Sequence, residues 1–186
     1  MSHGPVSQNK FYIYSAFGRT GSTRLCHLLS PTPHTLIAPF HVDTELHTVI
    51  HSHVLDYTIP PMYIPILSTR KDKRDIVLSN LIARKTEDWV PGINKPNEIK
   101  PFSVDVDYYI ALSKQIILKE EHFLNKNTNA ITIYLEDSVE DIQQKLQVPI
   151  VDTSADKASI SNYPPEQTIE NYNELHDAYS DAFPDA

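Results

Sequence analysis

The chain has 186 residues, 40% hydrophobic and 22% charged, the mix of one ordinary globular domain. Its net charge of −8 argues against a general binder of nucleic acid or of anionic membranes, so a polyanionic ligand would need a local gathering of Arg and Lys. A single cysteine, Cys26, excludes an internal disulfide, and no apolar run approaches the roughly 20 residues that span a bilayer.

Residues 1–9 are polar, carry Gly4 and Pro5, and read as a flexible N-terminus without the pattern of a signal peptide. That leaves 10–186 as a single domain, expected in the cytoplasm. Phe11 to Ser15, rich in aromatic and β-branched residues, reads as a buried strand. Gly18 and Gly21 then punctuate the chain. After Ser22 and Thr23 the apolar spacing becomes helical through Leu25, Leu28 and Leu29, and ends at Ser30-Pro31. Cys26 falls on the apolar side of that helix, as a small core residue would. Strand, glycine turn, hydroxyls and helix make up the plan of an anion-binding loop. The first N–H groups of a helix have no intrahelical partner, and the helix dipole adds to their pull on an anion.

Thr35 to Ala38 reads as a short second strand, closed by Pro39. Phe40 to Asp56 contains His41, His47, His51 and His53, and its apolar positions Leu46, Val49 and Ile50 suit a short helix. The histidine spacing matches no closed zinc site, so no metal is expected. Met62 to Ser68 is the next buried strand and runs into Thr69-Arg70. Asp72 then reads as an N-cap with Asp75 at the capping-box position, opening a helix to about Trp89 with an apolar stripe of Ile76, Val77, Ile82 and Ala83. Val90 to Ser103, with Pro91, Gly92, Pro96 and Pro101, is a loop. Asp105 to Leu124 has helical spacing, and Ala130 to Leu135 is another strand. A short helix starts at Asp137 or Ser138 and runs to Leu146. Val148 to Val151 suits an edge strand or a turn. A last helix spans about Pro165 to Tyr179, with Ile169, Tyr172 and Leu175 inward.

Strands separated by helices predict a parallel α/β sheet covered on both faces, with ligands bound beyond the carboxyl ends of the strands. The 18–23 loop and the Thr69-Arg70 junction both lie at such ends. They can therefore converge on one ligand.

The loop is not the nucleotide-hydrolase type, G-x-x-x-x-G-K-[ST], because Gly18 to Gly21 is too short and no Lys follows Gly21. The basic residue is Arg19, inside the loop. Arg19-Thr20-Gly21-Ser22-Thr23, after a strand and before a helix, resembles the 5′-phosphosulfate loop of sulfotransferases that use 3′-phosphoadenosine 5′-phosphosulfate (PAPS). Ser68-Thr69-Arg70 with Ser79 in the following helix resembles that family's 3′-phosphate segment, and Arg70, Lys71, Lys73 and Arg74 stand out in an acidic chain. Trp89, Tyr134-Leu135-Glu136-Asp137 and Glu170-Asn171-Tyr172-Asn173-Glu174-Leu175 also resemble parts of the family, Trp89 especially its bacterial carbohydrate-type members. The likeness is carried mainly by residues 10–90.

The resemblance implies a three-layer P-loop-type parallel sheet flanked by helices. It also implies transfer of a sulfuryl group from PAPS, without a metal, to a hydroxyl of a sugar, lipid or small metabolite. Arg19, Thr20, Gly21, Ser22 and Thr23 would hold the 5′ end of the donor, and Arg70 and Ser79 its 3′-phosphate. Arg19 would also steady the charge on the leaving phosphate. Many relatives carry a Glu before Pro-Phe after the second strand, where this chain has Ala38-Pro39-Phe40. His41, close by, and His53, whose position resembles one after the next helix where relatives place a His or Lys, are the candidates for the general base. Lys157 stands where it could reach the 3′-phosphate. Two other readings remain: a P-loop kinase or nucleoside triphosphatase, disfavoured by the missing Lys and by the lack of an acidic residue at the end of Met62–Ser68, and a non-catalytic module that binds PAPS or its product.

Overall fold

A computed structural model describes residues 9–30, 34–36 (backbone only), 48–87, 100–150 and 163–184. The strands are β1 (Lys10–Tyr14), β2 (His34–Leu36), β3 (Val49–Ser52), β4 (Tyr63–Thr69) and β5 (Ile131–Tyr134). The helices are α1 (Ser22–Leu29), α2 (Lys73–Thr86), α3 (Val106–Lys126), α4 (Val139–Leu146), α5 (Pro165–Thr168) and α6 (Tyr172–Ala182). The five strands form one all-parallel sheet in the order β2-β3-β1-β4-β5, with β1 at its centre.

The two-residue period of β1 builds two cores from one strand. Phe11 and Ile13 pack with Val49, Ile66 and Ile133 against α1 and α4. Tyr12 and Tyr14 pack with Ile50 and Leu67 against α2, α3 and α6. Both faces of the sheet are thus covered, and Ile13, Tyr14, Ile50 and Ile66 are wholly buried, each worth roughly 1.5–3 kcal/mol. Tyr14 stacks on Phe123 at 4.5 Å between centroids, which joins the central strand to α3.

Four sequence expectations change. Val49 to Ser52 is strand, not the short helix that its apolar spacing suggested. The β-branched pair Val49-Ile50 is buried on both sides between β1 and β2, where period 2 outweighs a four-residue helical pattern. The C-terminal helix is broken at Ile169, which forms a β-bridge with Phe102: Phe102 N–H donates to Thr168 O at 3.1 Å, and Glu170 N–H donates to Phe102 O at 3.0 Å. Asn171 then clamps the Val104 backbone: its Oδ1 accepts from Val104 N–H at 2.9 Å and its Nδ2 donates to Val104 O at 2.8 Å. Of Val148 to Val151, expected as an edge strand or a turn, the described residues 148–150 form neither, and α4 ends at Leu146 with Gln147 left-handed at φ 54°. The α2 helix starts as read, with the Asp72 carboxylate accepting from Arg74 N–H, but ends at Thr86. Trp89, Ala38 and Lys157 lie outside the described residues.

Candidate functional site

The chain leaves the centre of the sheet at Tyr14 and turns back into α1 over residues 15–21. Two left-handed residues make that turn: Arg19 at φ 74° and Gly21 at φ 80°. For Arg19 this is a costly backbone state, of the kind that clusters at ligand-binding turns. Gly21 caps α1 without a side chain, and no acidic residue lies in the first turn. The first N–H groups of α1 are therefore offered without a side-chain cap from Gly21. Thr20 is fully buried, and its hydroxyl has no hydrogen-bond partner among the described residues.

The loop is clamped from two neighbours. The Ser68 hydroxyl, at the end of adjacent β4, donates to Thr20 O at 3.2 Å. Leu135, just past β5, packs so tightly that a Cβ on Gly21 would sit 2.5 Å from its Cδ1. Arg24 in α1 donates to Leu135 O and Asp137 O at 3.0 and 3.2 Å, and Glu136 accepts from Lys71 N–H at 3.1 Å. The 134–137 turn is thus a third wall of the site, holding both basic turns. Sequence reading singled out that turn but missed Arg24, whose carbonyl partners lie more than a hundred residues away.

Arg70 follows β4 directly, so the 15–21 and 70–72 turns leave the same ends of neighbouring parallel strands. The Arg70 guanidinium donates to Asp75 O at 3.2 Å and faces the Asp75 carboxylate at 3.7 Å, while its Nε is buried without a partner. Burial raises the Asp75 pKa in spite of Arg70 opposite. Ser79 lies buried two turns into α2. Of the remaining basic residues of the cluster, Lys71 is exposed, while Lys73 and Arg74 have structural partners. Lys73 is 2.6 Å from both Thr69 Oγ1 and Glu120 Oε2, and Arg74 bonds Asp72 and the ring of His176.

The same alternation that puts Ile13 on the α1 face puts Ser15, His51 and His53 there, at the mouth of the loop. Ser15 is fully buried, and its Oγ lies 3.0 Å from His53 Nδ1, 3.3 Å from His51 Nε2 and 3.5 Å from Ser22 Oγ. His53 Nδ1 also lies 2.9 Å from Ser15 O. His53 is exposed and His51 buried. His41 lies outside the described residues. Among the described residues no group of three or more His, Cys, Asp and Glu is placed to hold a metal ion. Cys26 is buried in the α1 core with its thiol pushed up to about 12 by burial, so it carries no thiolate at neutral pH.

No protein-family model, no curated protein and no solved structure matches this chain. The chemistry of the site therefore rests on its own geometry.

Burial lowers the His51 pKa to about 4, with the neighbouring His53 adding to the effect. A histidine held below its unfolded value of about 6.5 stabilises the fold fully above pH 6.5. That contribution is lost as pH falls from 6.5 toward 4, because the unfolded chain takes up the proton first. Between pH 7.5 and 5 the loss is about 2 kcal/mol. Urea unfolding at the two pH values should show it as the difference between the wild type and His51→Asn. An equal pH slope in both proteins would exclude the effect.

Proposed function

We propose that this chain is a PAPS-dependent sulfotransferase acting on a hydroxyl acceptor. The observation that carries this reading is the pairing of two basic turns, around Arg19 and Arg70, at the carboxyl ends of adjacent parallel strands, joined by the Ser68–Thr20 hydrogen bond. A ligand bridging them would need an anionic group at each end, as a 3′,5′-bisphosphorylated adenosine has. The strand order, with the glycine turn leaving the central strand and helices on both faces, supports the P-loop-type three-layer fold expected of that family.

The donor supplies an activated sulfuryl group bonded to a phosphate that leaves. The protein's part is to position the reactants and to stabilise the charge that grows on the leaving oxygen. Arg19 and the first N–H groups of α1 suit that charge, and the unpartnered Thr20 hydroxyl adds a donor in the same loop. Arg70 can fork two N–H groups onto phosphate oxygens, exchanging its loose 3.7 Å contact with Asp75 for a charge-assisted pair. His53, beside the loop and exposed, takes the acceptor proton. The acceptor, a small molecule or carbohydrate, is bound where this histidine meets solvent.

Isothermal titration calorimetry with adenosine 3′,5′-bisphosphate and with 5′-AMP tests the reading. The bisphosphate should bind at least about tenfold more tightly, and Arg70→Ala should bring the two affinities together. Equal affinities in the wild type would remove the 3′-phosphate site and with it the assignment.

A further inference from the structure

We infer that Ser15 and His51 are positioning residues that hold His53 as its Nδ1–H tautomer, leaving the His53 Nε2 lone pair as the proton acceptor at the mouth of the loop.

Ser15 O is a carbonyl and can only accept, so His53 Nδ1 at 2.9 Å must carry the hydrogen. In the neutral ring Nε2 is then bare. The Ser15 hydroxyl has one hydrogen and can also accept. Lying 3.0 Å from the protonated Nδ1 of His53, it shares that one hydrogen with the carbonyl, and its own hydrogen goes to His51 Nε2 at 3.3 Å. One buried serine thus fixes the exposed ring twice, through its carbonyl and through its hydroxyl. The hydroxyl in turn is oriented by His51, which is 6% exposed and packs edge-on against His53 at 4.7 Å between centroids. Burial keeps His51 neutral at ordinary pH, so its Nε2 can serve as a hydrogen-bond acceptor. Ser22 Oγ, at 3.5 Å from the same hydroxyl, ties the arrangement to the first residue of α1, so the base is held in register with the anion loop.

The catalytic meaning of this arrangement rests on the sulfuryl-transfer reading, but its test does not. Long-range 15N–1H correlation spectra of the full-length protein at pH 7.5 report the tautomer of each histidine. His53 should show the Nδ1–H form, the minor form of a free imidazole. Ser15→Ala and His51→Phe keep the Ser15 carbonyl but lose the hydroxyl or its orienting partner, so the ring should move only part of the way toward the free-imidazole mixture. His51→Gln, whose amide can replace Nε2 as partner of the hydroxyl, should keep the wild-type pattern. An Nε2–H tautomer at His53 in the wild type would overturn the inference, whether or not the bisphosphate binds. So would an unchanged pattern in both Ser15→Ala and His51→Phe. If the tautomer is as stated and the bisphosphate does not bind, the positioning stands and the sulfotransferase reading falls. The wild-type measurement needs no variant, so a failure of either variant to fold leaves the test intact.

Discussion

Replacing Gly21 by Ala should destabilise the protein by at least about 2 kcal/mol and abolish nucleotide binding in the calorimetric assay. Two independent costs meet at this residue. Its φ of 80° is left-handed, a state that costs any residue with a Cβ roughly 1–2 kcal/mol. The added Cβ would also lie 2.5 Å from Leu135 Cδ1 and 3.2–3.3 Å from the next two Leu135 side-chain atoms. The Leu135 side chain sits on the turn that receives Arg24, so it can yield only by loosening the clamp on α1. The steric share is separable. In Gly21→Ala with Leu135→Ala, part of the lost stability should return as a favourable coupling, while the backbone share remains. Gly18 is the internal control, because its Cβ would meet nothing within 4 Å and its φ is not left-handed. Gly18→Ala should change stability by less than about 0.5 kcal/mol. Urea unfolding of the wild type, Gly21→Ala, Leu135→Ala, their double variant and Gly18→Ala checks the pattern. Equal costs at Gly18 and Gly21 would show that the loop is not held in this conformation.

Glu120→Ala should cost about 2–4 kcal/mol. Glu120 lies on α3 with only 6% of its side chain exposed, and each carboxylate oxygen has a partner: Thr69 Oγ1 at 2.6 Å and Lys73 Nζ at 2.6 Å. Removing it strands the Lys73 ammonium in a half-dry site between α2 and α3. The cost falls short of a fully buried pair because 23% of the Lys73 side chain still reaches water. Replacing both partners, Lys73→Met with Glu120→Leu, should recover most of the loss, since apolar side chains of similar volume leave no charge behind. Chemical denaturation midpoints decide it. A double variant no more stable than Glu120→Ala would mean that packing, rather than the orphaned charge, sets the cost.

The two readings that compete with the sulfotransferase are separable by ligand. A P-loop kinase or triphosphatase would turn over magnesium–ATP. A non-catalytic module would bind adenosine 3′,5′-bisphosphate tightly yet release no sulfated product from PAPS across a broad panel of hydroxyl acceptors. The His53 arrangement weighs against the module, because an exposed imidazole oriented by two buried side chains is what proton transfer needs.

Local chemistry was enough to determine the ends of the central elements. Phe11 to Ser15 declares a strand, Gly21 a turn, Asp72 an N-cap, and Leu25, Leu28 and Leu29 a helix. Each depends on neighbours within a few positions, so one stretch of chain carries the whole signal. What Val49 to Ser52 would be was decided elsewhere: its helical spacing gave way because the sheet had a slot between β1 and β2 for β-branched residues. The break at Ile169 came from Phe102, 67 residues earlier. The basic run from Arg70 to Arg74 looked like one patch in sequence. Glu120 took Lys73 and Asp72 with His176 took Arg74, leaving Arg70 beside the loop. Ser15 was legible only as the last residue of a strand. Parallel pairing of β1 with β3 set two histidines against its hydroxyl, and such pairing joins residues at separations that no local pattern encodes.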